Sequence, residues 1–332
     1  PDDFCPISWA YAKELYNKND IIGNKYGIDQ KNIDWILENS IGIHLWRNLF
    51  RTKKYIVEKD SAFNKIMKFH KIKYKICIPS YNRLDGIQKK TIKMLKEVDI
   101  TDYTIFVSTQ KDFDEYTAAD IGNVVLIPEE FAGIGAARSY IVNHWAMDKD
   151  NIVMIDDDIE YYKNFYGSRA DFRVVTQDMF SNLRDTNLFF GGFPLCQNMF
   201  YLKDKWTKCL KYCSGASQFI RIDKSREKIE CRYRMFEDFT YNILYFKRDG
   251  GVLRYDGIAP VTINYNENGG ICDEMNGIEN RLNCESVADE IITRFGDKVV
   301  SKYWKKKSAR GPATLNMRLN WRCQPEYFIN TS

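Results

Sequence analysis

Three consecutive carboxylates, Asp156, Asp157 and Asp158, are the residues of this chain best suited to chemistry. Adjacent carboxylates repel one another, so folding alone gives no reason to cluster them. They follow Ile152, Val153, Met154 and Ile155, an apolar run of the length of a buried strand. The first and third residues of an extended run face the same side, so Asp156 and Asp158 can share one cation. Hard oxygen ligands of this kind suit Mg²⁺ or Mn²⁺. A solvated acidic loop would carry the same triplet; the apolar strand directly before it favours the metal. Other chemistries are poorly provided for. Nine cysteines are scattered without a CxxC, and the closest pair is Cys209 and Cys213. Reduced thiols are expected rather than a disulfide framework or a structural zinc site. The only histidines are His44, His70 and His144, so catalysis should rest on carboxylates.

The elements that would position the triplet alternate. Lys75 to Pro79 is a β-branched run stopped by proline, and Gly86 to Val98 carries Ile87, Ile92, Leu95 and Val98 at helical spacing. Strands are predicted over Tyr103–Ser108, Asn123–Pro128 and Asn151–Ile155, with helices over Phe113–Ala119 and Ile134–Met147 between them. Such alternation builds a parallel sheet covered by helices, with ligands at the carboxyl ends of the strands. The second half is mixed: strands near 188–194, 216–222, 251–255 and 259–265, helices over 236–246 and 286–295.

Residues 1–70 read as a separate small helical domain, and 71–332 as the α/β domain. Within the first, one helix ends at Gly27, and Asp29 can cap a second with Ile33, Ile36 and Leu37 inward. This spacing resembles a helix-turn-helix, whose recognition helix would begin with Gln30, Lys31 and Asn32. A plain helical hairpin fits equally well.

The 332 residues are 44% hydrophobic and 28% charged, a globular mix with enough apolar material for a sizeable core. No apolar run approaches the roughly 18 residues of a membrane span. The opening residues show no basic-then-apolar leader, and a cytoplasmic protein is expected. Net charge is only +4, which does not announce a nucleic-acid binder, and the sequence leaves oligomeric state open. Residues 298–325, however, hold eight basic residues and no acidic one: Lys298, Lys302, Lys305, Lys306, Lys307, Arg310, Arg318 and Arg322, interleaved with Tyr303, Trp304 and Trp321. Basic residues neutralise phosphates and aromatic faces stack on bases. A clamp on a pyrophosphate would use the same residue types; DNA contact is favoured.

The order of these features resembles the nucleotide-sugar glycosyltransferases of the GT-A fold. Their hallmarks are an Ile-Pro-x-Tyr-Asn-Arg-like first strand, here Ile78 to Arg83, and a strand ending in Asp-x-Asp, about 80 residues later. Gly133-Ile134-Gly135-Ala136-Ala137-Arg138 resembles the Gly-x-x-x-Ala-Arg stretch of processive-type members, although Ser139 stands where those usually have Asn. The resemblance implies a Rossmann-like nucleotide-sugar-binding domain and a UDP-sugar donor carrying a hexose or pentose. It implies Mn²⁺ or Mg²⁺ on Asp156 and Asp158, and donor contacts from Pro79, Tyr81, Arg83, Gln110, Gly135, Arg138, Asp156 and Gly215. Glu237-Asp238, at a predicted helix start, falls where inverting members carry the base; Asp238 is the first choice and Glu237 the alternative. Acids favoured by the helix dipole would look the same. No histidine follows residue 144, so the C-terminal histidine ligand of many members is missing.

A narrower resemblance adds Ser214-Gly215-Ala216 and Gly269-Gly270 to these motifs. Together they are similar to the TET/JBP-associated glycosyltransferases, which include bacteriophage enzymes and the base J glucosyltransferase. That resemblance implies DNA modification, with hydroxymethylcytosine or another hydroxymethylated pyrimidine as acceptor. For a phage-encoded chain the compartment would be the host cytoplasm. Surface polysaccharide as acceptor, or a DNA-binding protein with a degenerate transferase domain, are the alternatives.

Overall fold

A computed structural model describes residues 72–196, 198–262, 278–305 and 314–328. The chain divides into two compact units, Pro1–Ile72 and Lys73–Ser332. The predicted helix-turn-helix, Gly269-Gly270, and Lys306, Lys307 and Arg310 of the basic segment lie outside the described residues.

Among the described residues, eight strands form the central sheet in the order β3-β2-β1-β4-β9-β7-β10-β8. They are β1 (Lys75–Pro79), β2 (Thr104–Val107), β3 (Asn123–Leu126), β4 (Asn151–Ile155), β7 (Phe190–Gly192), β8 (Trp206–Thr207), β9 (Ser217–Arg221) and β10 (Leu253–Tyr255). The first four are parallel, as β-α alternation requires. Strand β9 then runs antiparallel between β4 and β7, so the expected parallel sheet becomes mixed in its second half. The α/β class expected of a GT-A domain is borne out.

Helices α1 (Leu84–Ile87), α2 (Lys93–Glu97), α3 (Gln110–Ala118) and α4 (Ile134–Tyr140) connect the parallel strands. A wide π turn, Gln88–Ile92, joins α1 to α2. Helix α5 (Phe172–Asp185) buries Phe172, Val175, Thr176, Met179, Phe180 and Leu183, an i, i+3, i+4 stripe, and the Asp171 carboxylate caps its first turn. Helix α6 (Glu237–Asp249) buries Tyr241, Ile243, Tyr245 and Phe246 in the main core and ends at Gly250, whose φ of 75° suits a left-handed cap. Helix α7 (Ile278–Phe295) adds Ala288, Ile291 and Phe295 to that core.

Two smaller sheets flank the main one. Strands β5 (Ile159–Asn164), β6 (Arg169–Ala170) and β11 (Ile258–Thr262) form one. The basic segment forms the other, an antiparallel hairpin of β12 (Val300–Lys305) and β13 (Thr314–Leu319). No helix among the described residues is long and apolar enough to cross a membrane. The seven described cysteines are free thiols.

Candidate active site

Parallel strands β1, β2 and β4 bring Pro79 to Arg83, Ser108 to Gln110 and the aspartate triplet to one sheet edge. Strand β9 starts at that edge, with Ser217 opposite Ile155, which adds Ser214-Gly215-Ala216. The triplet does not continue β4 as the expected extended run: the strand ends at Ile155, Asp157 and Asp158 lie in a turn, and Arg83 reaches both of them. Asp157 points inward, where Ser80 Oγ donates to Oδ2 at 2.6 Å and Arg83 Nη1 to Oδ1 at 3.1 Å. Tyr116 Oη completes this corner, 2.9 Å from Ser80 Oγ and accepting from the Arg83 amide at 3.0 Å. Thr91, in the π turn, clasps the triplet's backbone: its hydroxyl donates to the Asp156 carbonyl and accepts from the Ile159 amide.

Asp156 faces the other way. Its Oδ1 accepts from Arg138 Nη2 at 2.7 Å, while Arg138 Nη1 donates to Glu237 Oε1 at 2.9 Å and Nη2 also to the Gly215 carbonyl. Arg138 is 2% exposed. Burial works against its charge, yet Asp156, Glu237 and Asp238 hold its pKa above the ordinary value. Its guanidinium is therefore engaged by carboxylates, where the resemblance implied a donor contact.

Glu237 and Asp238 open α6. The preceding Phe236 sits at φ 57°, a left-handed conformation rare for a bulky residue, which turns the chain sharply into the helix. Tyr212 Oη donates a short hydrogen bond to Asp238 Oδ2, and the Phe239 amide donates to Oδ1. Asn242 fixes the strand side, bonding the Cys213 amide and carbonyl and the Asp238 carbonyl. Burial, then the neighbouring Asp238 charge, pushes the Glu237 carboxyl up against the pull of Arg138. Burial also raises Asp238, opposed by the Tyr212 hydroxyl, Arg138 and backbone amides.

Among the described residues no group of three or more His, Cys, Asp or Glu gathers to hold a metal. Two carboxylates suffice for an ion completed by waters and substrate phosphates. Burial, and then the charges of Asp156 and Asp157, push the Asp158 carboxyl up to about 7 against Arg83 and Lys90. Arg83 lies 3.7 Å from it. Negative charge only partly offset by Arg83 and Lys90, at a half-buried position, fits a divalent cation.

The remaining expected residues divide. Tyr81 is 39% exposed at the edge. Pro79 is buried, and Gln110 is exposed, its amide on Asp114. Gly135 is a packing glycine: a Cβ there would lie 2.3 Å from the Tyr233 carbonyl. Gly215 leaves room for Arg138, whose Nη1 would be 2.8 Å from an added Cβ. Ser80, Thr91, Tyr116 and Tyr212 went unnoticed in the sequence; only Ser80 lay inside a recognised motif. On the hairpin, Lys302 is paired with Glu285 and Asp289. Tyr303, Trp304 and Trp321 are 41%, 46% and 54% exposed, with Arg318 over Tyr303 and Arg322 over Trp321.

A family described as the alpha 1,4-glycosyltransferase conserved region matches residues 1–77, less than a quarter of the chain and the segment in which the helix-turn-helix was expected. No curated protein matches the chain. Among solved structures, glucosyl-3-phosphoglycerate synthase from Mycobacterium tuberculosis, in complex with Mn²⁺, UDP and glucosyl-3-phosphoglycerate, is 12% identical. That match covers 74% of this chain and 87% of that chain, with a TM-score of 0.39. A mycobacterial protein is 12% identical over 74% of this chain and 83% of that chain, TM-score 0.41. Galactosyltransferase LgtC, in complex with donor and acceptor sugar analogs, is 16% identical over 54% and 72%, TM-score 0.33. Likenesses this distant carry no substrate to this chain.

Proposed function

We propose that this chain is a metal-dependent, inverting glycosyltransferase that moves a sugar from a UDP-sugar to a hydroxyl acceptor. The observation that carries this reading is the bridge from Asp156 through buried Arg138 to Glu237. It ties the strand-terminal triplet to a second pair of carboxylates at the same sheet edge, the two kinds of group that sugar transfer needs. Pro79, Tyr81, Arg83 and Gln110 line the nucleotide, and Asp156 and Asp158 hold Mn²⁺ or Mg²⁺. A bound ion offsets charge on the departing diphosphate. Asp238 takes the acceptor's proton, since Glu237 is held by Arg138 and Asp238 is aligned by Tyr212. The acceptor oxygen bonds to the anomeric carbon as that carbon's bond to the diphosphate oxygen breaks, and UDP leaves with the electron pair. Attack from the face opposite the diphosphate inverts the centre. UDP release from a panel of UDP-sugars, with and without Mn²⁺, tests this; no release from any of them overturns it.

For the acceptor, the reading favoured is DNA containing a hydroxymethylated pyrimidine. Its support is the exposed aromatic and arginine surface of the β12–β13 hairpin within the basic segment. Reaching a base in a duplex requires flipping it out. Mass spectrometry of hydroxymethylcytosine- and hydroxymethyluracil-containing DNA, after incubation with the UDP-sugars, reads the added mass. Transfer to polysaccharide with none to DNA would favour the other acceptor class.

A further inference from the structure

A cavity of about 350 Å³ lies well away from the aspartate triplet, at the far end of α6. From Asp238 to Lys247 the helix rises about 14 Å at 1.5 Å per residue. The walls are Glu227 to Ile229, Leu244, Lys247 and Arg248 of α6, Thr293 to Gly296 at the end of α7, and Tyr327 and Phe328. A dry cavity of about 150 Å³ accommodates benzene, so this one has room for a ring and a polar head.

Its charge is unusual. Lys228, Lys247, Arg248 and Arg294 line it against one carboxylate, Glu227. Basic residues at helix ends have an ordinary explanation, because each C-terminus carries roughly half a negative charge. Two such ends, α6 and α7, meet here, and together they offset about one of the three surplus charges. A surplus of about two remains. Buried Asp249 pairs with Arg248 and is shared with Arg226, which also lies 3.9 Å from Asp223, so the charge left over rests chiefly on Lys228 and Lys247. Arg248 is fixed in place by Asp249, by the Glu227 carbonyl and by the face of Tyr245. Lys228 and Lys247 are exposed and form no ion pair with any described residue. The cavity's surface is mostly polar, and Ile229, Phe295 and Phe328, each less than a tenth exposed, belong to its smaller apolar part.

We propose that this cavity binds a small organic phosphate, its dianionic head between Lys228 and Lys247 and its apolar body against Ile229, Leu244, Phe295 and Phe328. A phosphate monoester matches the surplus in charge and offers acceptors to lysine donors. The site is separate from the donor site, and its occupant need not be a nucleotide sugar.

Phenyl phosphate is the probe, titrated into the full chain by ligand-observed NMR with UDP and Mn²⁺ present to occupy the donor site. Saturable binding is expected, weakened at least tenfold in K228E/K247E. Thr293→Trp adds bulk at the wall without changing charge and should weaken it as well, while Asp158→Ala should leave it intact. Absence of saturable binding to the wild type overturns the proposal. So does binding that survives T293W, which would mean surface charge alone, and so does loss in Asp158→Ala, which would move the probe to the triplet.

Discussion

Arg138 and Glu237 are 99 residues apart in the chain and 2.9 Å apart in the fold, joined by an ion pair whose other arm reaches Asp156 at 2.7 Å. A guanidinium is a rigid planar fork, so one side chain fixes the separation of two carboxylates. The start of α6 and the end of β4 are thereby set against each other, and with them the two halves of the proposed chemistry.

Replacing Arg138 by Met should destabilise the chain by about 3–5 kcal/mol, the usual cost of stripping one partner from a buried ion pair. R138M/E237Q should recover part of that loss, because a neutral amide needs no counter-charge. Urea denaturation midpoints measure both, and an R138M midpoint equal to the wild type would mean that the bridge contributes nothing.

Gly215→Ala should lower stability by about 1–3 kcal/mol, the range for overpacking a filled core. The new methyl would meet Arg138 Nη1 at 2.8 Å and the Asp238 Cβ at 3.4 Å. Gly86→Ala is the control: on α1, the only neighbour within 4 Å among the described residues is the Arg83 Cβ at 3.9 Å, and it should be neutral or stabilising. Equal thermal midpoints for the two variants would refute the crowding at Gly215.

How legible this arrangement was in the sequence depended on distance along the chain. The parallel half and the strand-terminal triplet follow from local apolar runs and turn residues. Strand β5 follows the triplet directly, and the turn that separates it from β4 is Asp157-Asp158 itself, so no separate turn signal marks its start. Helix α5 carries its own signal in the sequence, the apolar stripe from Phe172 to Leu183 behind Asp171. The hairpin was hidden by its lysines, which obscure the alternation of β12. Nothing local links Arg138 to Glu237 or Tyr212 to Asp238, since each pairing arises only when separate segments meet at the sheet edge.

Asp158→Ala should abolish transfer while leaving the chain folded, and EDTA should do the same to the wild type. Removing one of three crowded carboxylates relieves repulsion, so stability should hold or rise. Full activity in EDTA, with no response to added Mn²⁺, would take the ion out of the mechanism.

Burial raises the Asp238 carboxyl, so the acid limb of the pH profile of kcat/KM should fall above the ordinary carboxylate range of about 4. Activity appears as pH rises through that limb, because the base works ionised. The Tyr212 hydroxyl favours the ionised form, so Tyr212→Phe should move the limb to higher pH and cost more activity at pH 6 than at pH 9. Asp238→Asn should lower kcat far more than donor affinity. A Tyr212→Phe limb that stays in place, or moves down, would show that the hydroxyl does not tune the base.

The last prediction concerns the acceptor. If DNA is bound through phosphates, affinity must fall as salt rises, because each contact releases counterions. Lys302 is already neutralised by Glu285 and Asp289, so it should add little. Reversing Lys305, Lys306 and Lys307 to Glu should weaken binding to every duplex alike. It should also flatten the slope of log K against log salt by roughly 0.9 for each contact removed. Trp304→Ala and Trp321→Ala act differently: the loss of a stacking face, about 1–3 kcal/mol for each base stacked, should appear on single-stranded or flipped-base substrates and leave the salt slope unchanged. Deleting residues 1–70 should alter duplex or sequence preference if that segment reads DNA, and leave UDP-sugar hydrolysis nearly intact. Titration of labelled duplex and single strand at two salt concentrations separates these effects. Weak binding that ignores the charge reversal, and matches that of a basic control protein, would exclude the DNA acceptor and leave the proposed sugar transfer standing.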